Sequence, residues 1–362
     1  MGRKKQYGYQ EYRGRGGGRG RTVLKFIIAL LAVLLAAGVA FVAFLGDYLE
    51  YTPNGMVIHW PWAQESAAPS APASEPPELP SVPVEVVEPS PTVEPTPTPT
   101  PEPVYEPIAA VTVTAAQLRD GSAAQAVAAA GGNALVVEMK GIKGRLAWQS
   151  QTELAASLWA NAADDLTAQA VRELAQNSQL YLVARVQCFR DPLMASGWVG
   201  SLMTRGGNLW HDAQGVGWSS PASQQAVDYL SALCLELADM GFDEILLDSA
   251  GYPDFGEVNV LAVSDNRPED RTVPVAAFWA RLSEELAEKG TALSVQTTED
   301  ALRGDNAFSG ATAANLAQYA ARVWLPAPLK GSDYAAILSN AGLDNTAARV
   351  VVKDAASGSW YK

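Results

Sequence analysis

The sequence predicts an α/β fold, a (β/α)8 TIM-type barrel with seven clear strands, preceded by a transmembrane helix and a proline-rich linker. Three observations predict it. Twenty consecutive uncharged residues follow a basic tail. A proline-rich stretch without a single basic residue comes next. Beyond residue 108, short apolar runs alternate with amphipathic stretches, the pattern of a parallel sheet covered on both faces.

The charge justifies the first part. The 362 residues carry 26 basic and 39 acidic side chains, a net charge of −13. Residues 1–25 hold eight basic residues and one acid, while the rest of the chain is strongly acidic. Phe26 to Leu45 is uncharged, and a helix of that length spans roughly 30 Å, the thickness of a hydrocarbon core. Basic residues before it and Asp47 and Glu50 after it place the N-terminus in the cytoplasm and the remainder outside. A cleaved signal peptide ending near Ala40 or Ala43 is the competing reading, and the length of the run favours an anchor. Residues 46–64 form a juxtamembrane segment with Trp60 and Trp62. Residues 65–107 contain fourteen prolines and eight glutamates. Such a Pro/Glu/Thr-rich linker favours polyproline II and spans on the order of 100 Å.

Residues 108–362 read as one barrel domain. Strands are expected at 110–114, 134–140, 180–189, 244–248, 292–297, 322–326 and 348–353. Helices are expected at 123–130, 163–176, 223–240 and 275–289, and Gly131, Gly241 and Gly290 stop three of them. An eighth strand has only Ser357–Tyr361 or the start of the domain to come from. A doubly wound open sheet is the competing architecture. The first strand is followed by no G-x-G-x-x-G, which argues against dinucleotide binding.

Composition excludes several functions. Two distant histidines, His59 and His211, and two cysteines, Cys188 and Cys234, build neither a zinc site nor a disulfide framework. No metal and no cofactor is expected, and both thiols read as buried core residues. The acidic balance argues against nucleic acid as a partner of the folded domain. Chemistry therefore falls to carboxylates at the C-terminal strand ends. Asp248 closes an otherwise apolar strand and is the leading catalytic candidate, as nucleophile or stabilising carboxylate. A structural pairing with Arg185 is the plain alternative. Glu138 and Glu299 are the candidate acid/base partners, because glycoside cleavage uses two carboxylates, about 5 Å apart for retention or roughly 6.5–9.5 Å for inversion. Candidate substrate-binding residues are Arg185, Lys140, Asp191, Trp210, Trp218, Tyr252 and Trp324. The long loop after the third strand, rich in Trp, is a candidate sugar platform, since indole faces stack on pyranose rings.

The stretch YLVARVQCFRDPLMA…GGNLWHDAQGVGWSSP…GFDEILLDSAGYP (181–253) resembles the "putative glycoside hydrolase domain" of bacterial anchored proteins, a TIM-barrel family related to the α-amylase-like hydrolases. The resemblance rests on Arg185, Phe189-Arg190-Asp191-Pro192, Trp210…Trp218…Pro221, Gly241-Phe242-Asp243-Glu244-Ile245 and Asp248, and continues more weakly over 109–353. It implies a barrel that cleaves or binds cell-wall or surface polysaccharide. The departures are specific. Gly251 stands where the family pattern has Arg, Gln296 where it has an acid, and Glu138-Met139-Lys140-Gly141 replaces Asp-x-Lys-Asp. An amide cannot transfer a proton as a carboxylic acid does. Two readings follow: a membrane-anchored extracellular glycoside hydrolase, or an inactive barrel that binds glycan or protein at the cell surface.

Overall fold

The computed structural model describes residues 49–52, 55–58, 105–304, 308–326, 333–354 and 360–361. The basic tail, the span 26–45 and nearly all of the linker lie outside the described residues. Among the described residues, no helix is long and apolar enough to cross a membrane. The chain divides into two compact units, residues 1–96 and 97–362. In the first, β1 (Leu49–Thr52) pairs antiparallel with β2 (Gly55–Ile58).

In the second unit seven strands lie side by side in chain order and all parallel. They are β3 (Ala110–Val113), β4 (Ala134–Lys140), β5 (Tyr181–Gln187), β6 (Glu244–Asp248), β7 (Ala292–Gln296), β8 (Val323–Leu325) and β9 (Val350–Val352). Helices connect them, and their ends carry the expected signals. Ser223 caps the helix Gln224–Met240, and Gly241 ends it at φ 101°, where a side chain would be strained. Thr114 and Gln117 form a reciprocal capping box on the short helix Ala115–Arg119.

Strand residues alternate between two cores. Leu135, Val137, Leu182, Leu247 and Val295 face the helices. Val136, Val183, Leu246, Trp324, Val351 and Tyr361 pack on one another instead. Side chains from strands far apart in the order share this second cluster, so the sheet curls around it. The eighth position differs from a (β/α)8 barrel. The two-residue strand β10 (Trp360–Tyr361) runs antiparallel to β3, and Tyr361 also bridges Lys353 just beyond β9. Trp360–Tyr361, inside the stretch expected for an eighth strand, thus supplies the last strand, but reversed.

The N-terminal end of the barrel is closed by charge. Arg322, just before β8, reaches Glu244 at the start of β6 with Nη1–Oε2 2.5 Å, both side chains being fully buried. Its guanidinium also donates to Tyr181 Oη and to the backbone oxygens of Ala348 and Glu106. Trp324 Nε1 donates to the other Glu244 oxygen at 2.8 Å. Every polar atom of this floor has a partner, as a buried ion pair requires.

Candidate active site

The parallel register carries side chains of β4 to β7 inward at matched heights. Glu138 pairs in register with Arg185, and Gln187 with Asp248. Above them a cleft of about 440 Å³ opens at the C-terminal strand ends. Glu138, Arg185, Gln187 and Asp248 line its base, and Trp218, Phe255, Asp254 and Thr298 line its walls.

Asp248 is held on both oxygens. Oδ2 accepts from Arg185 Nε at 3.1 Å and from Nη2 of the same guanidinium, and Oδ1 accepts from Ser249 Oγ at 3.1 Å. Gln187 Nε2 donates to Ser249 Oγ at 2.6 Å, so a relay of two hydrogen bonds fixes the carboxylate from one side. Ser249 sits at φ 49°, a left-handed conformation uncommon for serine, which turns the chain sharply after the strand-end acid. Burial alone would lower the Arg185 pKa, but the charge and hydrogen bonds of Asp248 carry it above the ordinary value. Glu138 is exposed in the cleft and, among the described residues, makes no hydrogen bond or ion pair. On the far wall, Gln296 Oε1 and Thr297 Oγ1 are shielded from solvent and accept no hydrogen bond.

The structure brings together Asp248, Glu138, Arg185, Trp218 and Tyr252 and leaves the other expected residues outside the cleft lining. Glu299 opens the helix Glu299–Arg303 and pairs along it with Arg303 at 2.5 Å. Lys140 and Asp191 form a buried ion pair at 2.6 Å. Lys140 donates to Gln187 O, and Asp191 Oδ1 caps the helix Pro192–Ser196 through the N–H groups of Leu193 and Met194. The pair braces β4 against the loop beyond β5 and supports Gln187 from below. Trp324 lies deep in the barrel with its N–H committed to Glu244, and Trp210 is buried with its N–H on Glu257 O. Neither indole offers a sugar a free face. Tyr252 touches the cleft, but its hydroxyl is occupied by Ser220 and Asn266 O, and burial raises its pKa. Both cysteines are buried free thiols, and burial pushes Cys234 up to about 12.

Asp254, Phe255, Gln187 and Ser249 line the cleft without having been expected there. Gln187 was within reach of the sequence, since it stands two residues after Arg185 and so on the same face of β5. Phe255 was not, because nothing local shows that it packs on Trp218 at 5.9 Å with Arg190 over its ring at 5.3 Å.

Gly251 has a steric cause. A Cβ there would collide with the carbonyl oxygen of Ser309, to which the next residue, Tyr252, donates its N–H at 2.8 Å. No arginine fits at this place. Gly251→Ala is expected to push the Ser309 segment off the cleft wall and to destabilise by about 1–3 kcal/mol. Thermal unfolding measures it, and an unchanged midpoint would contradict the packing.

Asp212 organises the Trp218 loop. Its oxygens accept from Arg190 Nε at 2.6 Å, from Trp218 Nε1 at 3.1 Å and from the N–H groups of Gln214 and Val216. Burial would raise its pKa, but these donors hold it below the ordinary aspartate value. The unfolded chain therefore takes up this proton first. The stabilisation is complete above the unfolded pKa, about 3.9, and is lost as pH falls through the folded one. The Trp218 indole N–H resonance is expected to shift on acidification below about pH 4. Asp212→Asn should remove that acid-dependent step, and an identical titration in the variant would refute the assignment.

Fold and cleft together define a curled, TIM-like α/β sheet of seven parallel strands with carboxylates gathered at its C-terminal strand ends. The chain belongs to the family described as "putative glycosyl hydrolase domain", whose model matches residues 108–320. Among solved structures, it is similar to a hypothetical protein from Ruminiclostridium thermocellum, with 22% identity over 51% of this chain and 96% of that one, TM-score 0.45. It is also similar to the PgaB (BpsB) glycoside hydrolase domain from Bordetella bronchiseptica, with 12% identity over 68% of this chain and 83% of that one, TM-score 0.49. A third is a Group IV chitinase from Ostrinia furnacalis, with 12% identity over 68% and 66% of the chains, TM-score 0.41. None of the curated proteins matches the chain.

Proposed function

We propose that the domain hydrolyses O-glycosyl bonds of a cell-wall or surface polysaccharide, held outside the cell by the span 26–45 and spaced from the membrane by the linker 65–107. The observation that carries this reading is the pair Asp248 and Glu138 on either side of Arg185 in one open cleft. A guanidinium only donates, so the Asp248 oxygen it holds is the acceptor. Such a carboxylate suits stabilising, or attacking, a positively charged anomeric centre. Glu138, exposed and unbonded, is placed to exchange a proton with a leaving oxygen or a water. Trp218 and Phe255 offer an aromatic wall. The anchor and outward orientation rest on the charge and length of the N-terminal segments.

One observation favours the second reading, a barrel that binds glycan without turnover: the amide of Gln296 occupies the strand-end position where the family pattern has an acid. Incubation of the full-length chain with peptidoglycan, chitin and a soluble exopolysaccharide, followed by assay of new reducing ends, separates the two. Hydrolysis is expected, and Glu138→Gln should slow it on the order of a hundredfold. Binding of a polymer with no product would select the second reading.

A further inference from the structure

Six helix ends among the described residues close with the same two bonds, one from a left-handed residue at or within two of the cap and one from the next residue, to carbonyls of the last turn. At four of them the left-handed residue is glycine: Gly131, Gly241, Gly290 and Gly342, with φ between 72° and 104°. At the other two it is tryptophan. Trp159 (φ 56°) donates to Ala156 O after the helix Glu153–Ser157, and Trp198 (φ 62°) donates to Ala195 O after the helix Pro192–Ser196. Glycine takes this conformation freely, whereas a residue with a Cβ is strained in it. Both indoles also stand in solvent, at 79% and 67% exposure, while Trp148, Trp210, Trp218, Trp279 and Trp324 are buried. Strain and exposure together oppose a purely structural role.

The two tryptophans belong together. A Cβ on Gly197, the neighbour of Trp198, would fall 2.5 Å from Leu158 Cδ2, the neighbour of Trp159, so the two helix ends abut. Their loops follow β4 and β5 and also supply Ile142 and Arg190 to the cleft, which places the pair at the same end of the barrel. We infer that Trp159 and Trp198 form a glycan-binding platform beside the cleft that grips a polysaccharide strand outside the bond-breaking subsite. Flat indoles set among the exposed Ser157, Ser196 and Gly197 match a pyranose strand, which presents apolar ring faces bordered by hydroxyls. The exposed neighbours Ser157, Ser196 and Gly197 are small, unlike the large apolar side chains at the core of a protein interface, and the acidic balance of residues 109–362 opposes an anionic lipid surface. This inference rests on the glycan-directed reading above and adds a second place of contact to it.

The test uses the full-length chain with Trp159→Gly, Trp198→Gly and the double variant, together with Asp248→Asn. Glycine relieves the left-handed strain, so these variants are expected to unfold no earlier than wild type. Retention on insoluble peptidoglycan or chitin should weaken roughly tenfold for each single change and vanish in the double variant. Cleavage of a short soluble oligosaccharide from the same polymer should be unchanged in all three. Asp248→Asn should do the reverse, keeping retention and losing cleavage. Retention equal to wild type in the double variant overturns the platform and leaves the hydrolase reading standing. Failure of wild type to bind either polymer, or loss of self-association on sedimentation of the double variant, also overturns it. Loss of retention in the tryptophan variants with cleavage intact in Asp248→Asn keeps the platform and removes Asp248 from the chemistry.

Discussion

Asp248→Asn is expected to lower glycan hydrolysis on the order of a thousandfold while the domain stays folded. The amide keeps the shape, and its one oxygen can still accept from Arg185 while its NH2 group faces Ser249 Oγ as a donor, but it brings no negative charge to the anomeric centre. The partner left behind is tolerable. The Arg185 side chain is 29% exposed, so water can solvate an unpaired guanidinium there. Loss of turnover with an unchanged unfolding midpoint is therefore the informative outcome, measured as reducing-end release beside thermal denaturation. Turnover within a few fold of wild type would exclude Asp248 from the chemistry. Loss of both turnover and fold would show the Arg185 pair to be structural first.

Arg322→Leu is expected to destabilise the domain by about 3–5 kcal/mol, a fall in midpoint of roughly 10 °C. Among the described residues Arg322 is the one cation on Glu244, at 2.5 Å, and both side chains are shut off from water. Its removal leaves a carboxylate in the barrel interior with, among the described residues, only Trp324 Nε1 and Tyr181 Oη as donors. It also frees the backbone oxygens of Ala348 and Glu106. The double change Arg322→Leu with Glu244→Leu should recover part of the loss, since an absent charge is better tolerated than an unpaired one. Calorimetry of the set measures this. A midpoint within two or three degrees of wild type for the single variant would mean that water reaches the floor.

Most of the sheet could be read from the chain. The largely apolar runs at 134–140 and 244–248 match β4 and β6 end to end, because strands covered on both faces are apolar along most of their length. The longer helices were legible from their caps and stopping glycines. The five-residue helices Glu153–Ser157 and Pro192–Ser196 were not, because five residues show too little periodicity. β10 escaped as a parallel strand because two residues carry no pattern and its direction is set by the partner edge.

The site was half legible. Asp248, Glu138 and Arg185 follow from their places at strand ends, which the sheet then brings to one mouth. Glu299 misled because a strand end and a following helix look alike until the turn Thr297-Thr298 is traced, and the helix pairs it with Arg303. Trp324 misled for a related reason. Its strand was correct, but its height along the strand was not, and inward side chains at the bottom of a barrel fill space rather than meet substrate.

Tyr105 lies under this floor, its ring within 5.5 Å of the Arg322 guanidinium and 4.9 Å of that of Arg349, and Asn345 Nδ2 holds its carbonyl oxygen. Tyr105 is thus moored at the pole opposite the cleft. Tension arriving through that residue would bear on a clamp of two arginines before it reached any strand bearing Asp248 or Glu138. Tyr105 and the residues bearing the cleft thus stand at opposite ends of the same barrel.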